Sequence, residues 1–266
     1  MKSSETQLKS RGFVDDEELK KYMGMSKEAL IDFLSSKDAT QRTIAARLLV
    51  KPKENGMDHK INVEPSMNAS VDTSLDAYVD TSLDANVLEA LVSQLVVEKK
   101  LYTKIALSES VSEFGQAASS CLVRYLGKVG DNQYKALPDE PFNKWSYPLP
   151  RDIICRTICK IGVPALPSLQ KCLHTGSYEQ ILEALDAIGY ISFYTGDATC
   201  QTDILNVLEL YKNDALMTWK VLRALQAFDT VETMQVLKHY ANSNIKQHRW
   251  EATRSMEQIQ KRALKK

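Results

Sequence analysis

The sequence lacks the features of membrane, secreted and nucleic-acid-binding proteins. Its 34 lysine and arginine residues are balanced by 34 aspartate and glutamate residues, so no global field attracts nucleic acid or an anionic membrane. Residues 1–21 contain no apolar core of the signal-peptide kind. No apolar run approaches the roughly 20 residues that are needed to span a bilayer. We therefore expect a soluble, cytoplasmic protein whose partner is neither a membrane nor nucleic acid.

The sequence also lacks the common catalytic and cofactor-binding motifs. It contains neither of the glycine-rich phosphate loops, Gly-x-x-x-x-Gly-Lys or Gly-x-Gly-x-x-Gly, and no Gly-x-Ser-x-Gly nucleophile elbow. Five cysteines, an odd number without a secretion signal, favour reduced and buried thiols. Cys155 and Cys159 lie four apart on one predicted helix, but no histidine or further cysteine completes a metal site there. We therefore predict no catalytic residue, no cofactor and no metal ligand.

What the sequence does contain is a succession of amphipathic helices, clearest from Arg151 to Gly189. Apolar residues recur there three and four positions apart, as on one face of a helix. Gly162 and Pro164 separate the first helix from the second, because glycine often follows a helix end and proline is tolerated in a first turn. Helix pairs of this kind bury their apolar stripes only by stacking on further pairs. The three stripes are Ile154, Ile158 and Ile161, then Leu166, Leu169 and Leu173, then Ile181, Leu185 and Ile188.

A small or medium-sized residue followed four positions later by a larger apolar residue recurs along the chain as a register mark. The smaller member lets neighbouring helices approach, and the larger member fills the layer between them. The last three gaps between marks, 27, 37 and 31 residues, suit helical-hairpin repeats, whereas the earlier gaps of 65 and 47 residues indicate insertions. The marks are Ala45/Leu49, Ser110/Phe114, Thr157/Ile161, Ala184/Ile188, Val221/Leu225 and Ala252/Met256.

Three stretches in these helices resemble the HEAT and HEAT-like repeat family: Arg42 to Ala46 (RTIAA), Lys160 to Leu169 (KIGVPALPSL) and Arg249 to Ala252 (RWEA). In that family an Arg-x-x-Ala-Ala pattern is followed by an apolar-glycine helix end and a Pro-Ala-Leu entry into the second helix. The resemblance implies an all-α fold, an armadillo-type α-α superhelix or solenoid of about six helical hairpins. It covers residues 26–264, which follow an N-terminal extension and capping helix at residues 1–25.

Two insertions interrupt the predicted repeats. Residues 51–86 are acidic and contain a direct duplication, VDTSLDA at 71–77 and again at 79–85, which is typical of a solvated, disordered loop. Residues 128–150 contain four prolines, which exclude a continuous helix, and an aromatic cluster that includes Trp145. This second loop either acts as a binding arm or folds back and plugs the gap between repeats, and we prefer the second role.

The repeat architecture without a catalytic set predicts a non-catalytic scaffold that binds another protein or a peptide on the concave face of the solenoid. In HEAT-like arrays the second helix of each pair lines that face. We assign this position to residues 87–98, 116–126, 164–174, 199–211 and 230–241. The predicted contact residues are Arg124, Lys171, Asn206, Glu209, Gln235 and Lys238, with Trp145 and Tyr147 from the second insertion.

A DNA-binding protein or DNA glycosylase is the alternative. HEAT-like repeats also build glycosylases that remove alkylated purines, and these use a basic concave face with tryptophans and an aspartate. Trp219 and Trp250, with the basic residues near them, resemble part of that set. However, the two tryptophans share a repeat register, which predicts that they pack between stacked helices. Binding of duplex DNA also requires several cations that contact phosphates, and acidic residues balance the cations here. The set in question is Trp219, Lys220, Arg223, Arg249, Trp250 and Arg254.

Overall fold

The computed structural model describes residues 3–50 and 85–264 of the chain, where helices follow one another without a β-strand. The predicted all-α class is therefore confirmed for these residues. The acidic insertion predicted at 51–86 lies almost entirely outside them. Two 3₁₀ turns, Val123–Tyr125 and Val163–Ala165, accompany the α-helices. The α-helices are α1 (Ser3–Ser10), α2 (Asp16–Lys20), α3 (Lys27–Leu34), α4 (Ala39–Leu49), α5 (Ala85–Val97), α6 (Leu101–Ser112), α7 (Gly115–Leu122), α8 (Ile153–Ile161), α9 (Leu166–Thr175), α10 (Tyr178–Thr195), α11 (Gln201–Leu210), α12 (Ala215–Leu225), α13 (Val231–Tyr240) and α14 (Lys246–Ala263).

The even-numbered helices from α4 onward form one layer. Each contacts the next in order, from α4 through α6, α8, α10 and α12 to α14. The first residue of every register mark is buried on one of these six helices. Hydroxyl groups bridge neighbours in the layer. Ser110 Oγ donates to the carbonyl oxygen of Ala46 at 2.6 Å, and Ser255 Oγ donates to that of Leu222 at 2.9 Å.

The odd-numbered helices pack on this layer as the first members of helical hairpins. From α3 onward, each odd-numbered helix packs against the even-numbered helix that follows it. The sequence register instead pairs α8 with α9 across Gly162, and that pairing is wrong. Gly162 does end α8, with a positive φ of 75°, but α9 packs mainly on α10. A capping box makes that connection, because Gln180 Oε1 accepts the Ser177 backbone N–H at 2.8 Å while Ser177 Oγ accepts from Gln180.

The N-terminal residues are anchored by an apolar contact that their polar composition does not predict. Residues 3–10 form α1, which contacts α4. Phe13 packs edge-on against Tyr102 of α6 with ring centroids 5.3 Å apart, and the Tyr102 backbone N–H donates to the Arg11 carbonyl oxygen at 3.0 Å. These contacts hold the N-terminal extension against the first hairpins.

Candidate functional site

Residues 126–152, which we call the covering segment, contain no α-helix and lie against α10, α12 and α14. Tyr147 is the deepest anchor. Its side chain is 2 % exposed, and its ring centroid lies 6.0 Å from that of Tyr190 and 5.6 Å from that of Phe193 on α10. Arg254 of α14 donates to the carbonyl oxygen of Ser146 at 3.0 Å. The insertion predicted at 128–150 therefore folds back onto the helices, and partner binding by its exposed residues stays a prediction.

Under the covering segment, Lys220 of α12 is held between two carboxylates of α10. Its Nζ lies 2.6 Å from Asp186 Oδ2 and 3.1 Å from Glu183 Oε1, and all three side chains are buried. Burial lowers the pKa of Lys220, but the two carboxylates outweigh burial and raise that pKa above its ordinary value. Burial raises the pKa of Glu183 to about 7, against the opposing effect of Lys220. Glu183 Oε2 and Asp186 Oδ1 have no hydrogen-bond partner among the described residues, so the pair holds acceptor capacity that this part of the chain does not use.

A second set of ion pairs joins α12 to α14 beside the first. The carboxylate oxygens of Glu251 lie 3.3 Å from Arg223 Nη2 and 3.0 Å from Arg254 Nη1. Tyr134 of the covering segment packs edge-on against Trp219, with ring centroids 4.9 Å apart, and shields the charges from that side. Three carboxylates balance three cations, which limits the cost of burying them. We call this set the buried ion cluster: Glu183, Asp186, Lys220, Arg223, Glu251 and Arg254.

Two cavities open at the edges of the covering segment. The first, of about 460 Å³, lies between residues 138–145 and α14, and we call it the peptide-sized groove. The second, of about 660 Å³, lies between residues 127–137 and the first turns of α10 and α12. Glu183 lines this second cavity, which therefore reaches the buried ion cluster, and we call it the Glu183 pocket.

The predicted contact residues fall into two groups. Trp145 lines the groove and is 55 % exposed, whereas Tyr147, two residues later, is buried and offers no surface to a partner. The other six are exposed on odd-numbered helices or on the 3₁₀ turn after α7. Because the packing makes odd-numbered helices the first members of their pairs, these six do not lie on second helices as the register predicts. Partner contact at these positions stays a prediction: Arg124, Lys171, Asn206, Glu209, Gln235 and Lys238.

The residues considered for a glycosylase-like face are mostly engaged inside the protein. Trp219 is 1 % exposed, and Lys220 and Arg223 are buried in ion pairs. Arg249 remains exposed and donates to the Ser243 carbonyl oxygen at 2.7 Å. Trp219 therefore packs inside the protein, as the repeat register that it shares with Trp250 predicts.

Sequence reasoning missed the carboxylates of the buried ion cluster. Glu183 and Asp186 lie three apart within the apolar run ILEALDAIGYI of α10, and acidic residues inside such a run are a recognisable signal. It also missed Gln258 of α14, which is 2 % exposed, lines the groove and has an Nε2 group without a hydrogen-bond partner among the described residues. Buried polar atoms without partners are rare, and they mark both cavities as candidate sites.

The chemistry of the described residues includes no metal centre. Within 3–50 and 85–264, no group of three or more histidine, cysteine, aspartate or glutamate side chains is placed to hold a metal ion, and no helix is long and apolar enough to cross a membrane. All five cysteines are free thiols, and Cys155, Cys172 and Cys200 are buried.

No protein-family model, no curated protein and no solved structure matches the chain. The two cavities are therefore the candidate functional sites of the protein.

Proposed function

We propose that the protein is a non-catalytic interaction module that binds an extended, acidic segment of another protein in the peptide-sized groove. In this proposal the hairpins form a HEAT-like α-α solenoid of about six units, and the covering segment builds the peptide site on its even-numbered layer. The successive contacts from α4 to α14, with one register mark on each of these helices, support the solenoid. The exposed Trp145 at the rim of the groove is the observation that carries the binding site.

One wall of the groove is aromatic and lies next to cations. Lys261 Nζ lies 3.7 Å from the Trp145 ring centroid, and the Arg254 guanidinium lies 4.9 Å from that of Phe142. Gln247 of α14 donates to the carbonyl oxygen of Pro138 at 3.2 Å, which holds the wall at its distance from the helix. Large aromatic side chains beside cations are typical of the anchoring points of protein interfaces. Such a wall suits a partner that carries an apolar side chain next to an acidic one.

The other wall and the wider C-terminal region favour an acidic partner. The unpartnered amide of Gln258 supplies a donor for a carbonyl or carboxylate oxygen. The charges that line the groove balance, three cations against three carboxylates. Residues 238–264 around it contain six lysines and arginines against two glutamates, so charge complementarity favours acidic segments. A volume of about 460 Å³ accommodates a few side chains of a peptide rather than the surface of a domain.

The same geometry gives less support to the DNA glycosylase alternative. Trp219 lies under Tyr134 and is not available to stack on a base. Lys220 is paired with carboxylates instead of facing outward. Binding of duplex DNA relies on several cations that are free to neutralise phosphates.

Selection from a random displayed peptide library tests the proposal. We expect the selected peptides to be enriched in aspartate and glutamate. Trp145→Ala should weaken their binding about tenfold, as expected for loss of an aromatic anchor. Leu149→Ala is the matched control, because Leu149 is 57 % exposed on the same segment but does not line the groove. The proposal is wrong if no peptides are enriched, or if both variants lose affinity equally.

A further inference from the structure

We infer that the Glu183 pocket is a binding site for an organic cation, a primary ammonium or guanidinium group that donates to Glu183 Oε2. The site lies at a different edge of the covering segment from the groove, and the inference does not rest on the proposed peptide-binding function. Four features of the pocket lead to this ligand class: a buried acceptor without a partner, the sign of the charge on the lining, the aromatic faces, and the enclosed volume.

The buried acceptor is the first feature. Glu183 is 2 % exposed, and Lys220 engages only its Oε1. Its Oε2 has no hydrogen-bond partner among the described residues, although Glu183 lines the cavity. An unsatisfied buried acceptor costs about 1–3 kcal/mol, and more when it is charged. A ligand that brings an N–H group to this oxygen removes that cost.

The lining of the pocket is acidic. It carries four carboxylates against two lysines, an excess of two negative charges. The N-terminal ends of α10 and α12 also border the pocket, and each contributes about half a positive charge, which offsets roughly one of the two. The pocket therefore keeps a net negative charge and favours a cation. The charged lining residues are Lys128, Asp131, Lys135, Glu179, Glu183 and Asp214.

The aromatic faces indicate the type of cation. Tyr134 and Tyr178 both line the pocket. The Tyr134 ring already attracts the protein's own cations, since Arg151 Cζ lies 3.9 Å and Lys220 Nζ and Arg223 Cζ lie 5.5 Å from its centroid. Tyrosine rings attract ammonium and guanidinium groups through the negative charge of their faces. A buried carboxylate together with two phenol rings in the lining matches an alkylammonium or a guanidinium on an aliphatic stem. The volume of about 660 Å³ leaves room for both.

Binding of such a cation is coupled to the protonation of Glu183. This carboxyl faces Lys220 of α12, Asp186 of its own helix and Asp152 at the start of α8, and burial raises its pKa to about 7. A bound cation stabilises the ionised carboxylate, so binding releases protons near pH 7. The affinity should therefore rise as the pH is raised from 6 to 8.

Calorimetric titration with matched probes tests the inference. The cationic probes are N-acetyl-lysine methylamide, N-acetyl-arginine methylamide and butylammonium, and the neutral control is N-acetyl-norleucine methylamide. We expect at least one cation to bind and the neutral probe not to bind. Comparison with butylammonium distinguishes a free amine ligand from a lysine side chain within a peptide. A pocket that recognises lysine within a peptide should bind N-acetyl-lysine methylamide more tightly than butylammonium.

Two variants assign the binding to the buried carboxylate. Glu183→Gln retains the shape of the side chain and should weaken cation binding at least about tenfold, as expected for loss of a charge-assisted hydrogen bond. Asp139→Asn is the control, because Asp139 is an exposed carboxylate of the same covering segment that does not line the pocket, and it should change the affinity less than about threefold.

If Glu183→Gln does not fold, calorimetry of the unaltered protein in buffers of different ionisation enthalpy is the second test. The heat of cation binding at pH 7 should depend on the buffer, because the buffer takes up the protons that binding releases. Three results would each overturn the inference: no cation binds, the neutral probe binds equally well, or binding is independent of pH from 6 to 8 and unchanged by Glu183→Gln.

Discussion

Tyr147 of the covering segment lies directly against Gly189 of α10. A Cβ atom at position 189 would overlap the Tyr147 hydroxyl group and would come within 2.9 Å of the Ala224 Cα atom. Glycine in the middle of a helix costs up to about 1 kcal/mol relative to alanine. At this position it permits the close approach of both the covering segment and α12.

Replacing Gly189 with alanine is expected to destabilise the protein by about 1–3 kcal/mol, because the added methyl group overpacks the contact with Tyr147. Replacing glycine with alanine at a helix position that has free space around it stabilises the protein instead. The sign of the change in stability therefore shows whether position 189 is crowded. The free energy of unfolding in urea measures the loss. Proteolysis within residues 126–152 should also become faster, because the segment is displaced.

Two further variants control for this effect. Gly24→Ala should change stability by less than about 0.5 kcal/mol, because no atom lies within 4 Å of the added carbon. Tyr147→Phe removes the hydroxyl that overlaps the new methyl group, and this hydroxyl has no hydrogen-bond partner among the described residues. It should therefore recover part of the stability in the Gly189→Ala background. If Gly189→Ala proves as stable as the parent, the segment does not depend on this contact.

Lys220→Met is expected to cost about 3–5 kcal/mol, because it leaves Glu183 and Asp186 buried beside each other without their cation. Lys160→Met is a suitable control, since Lys160 pairs with Glu109 at 3.6 Å on the surface, and an exposed pair contributes at most about 1 kcal/mol. Chemical denaturation of the two variants in parallel gives the comparison. Equal effects would show that the buried ion cluster does not support the fold.

The lowered pKa of Glu98 should make the stability of the protein depend on pH. Burial would raise the pKa of Glu98, but hydrogen bonds from Arg42, at 2.7 and 2.9 Å, and from the Lys100 backbone N–H lower it to about 2 from its ordinary value of 4.5. The folded-state pKa lies below the unfolded one, so the contribution is present above pH 4.5 and is lost as the pH falls through 2. A shift of this size corresponds to about 3 kcal/mol. The stability difference between the parent protein and Glu98→Gln should shrink over this window, and a constant difference would contradict the assignment.

DNA is expected to be a poor ligand. The cations nearest Trp219 are paired with carboxylates, so few remain to displace counterions from phosphates. We expect no release of base from alkylated duplex DNA. We also expect no DNA binding with a binding constant whose logarithm falls steeply as the logarithm of the salt concentration rises. Base release, or a steep salt slope, would restore the glycosylase alternative over the interaction module.

Local sequence patterns predict the helices well but the hairpin pairing poorly. Gly162 ends α8 as expected, because a left-handed residue at that point is a local property of the chain. The partner of α9 depends instead on the capping box at Ser177 and on how much surface α10 offers, neither of which follows from apolar spacing. Trp145 and Tyr147 likewise look equivalent in sequence, yet one is exposed and the other buried.

By itself, the sequence determined the all-α class, the positions of most helices and the small residues through which neighbouring helices approach, because helical periodicity and helix ends are encoded within a few residues of each other. Tertiary structure alone decided that the covering segment lies on α10, α12 and α14, and that Glu183, Asp186 and Lys220 meet beneath it. Those contacts join helices and a segment that are far apart in the chain, and the approach of Tyr147 and α12 to α10 depends on the space that Gly189 leaves open.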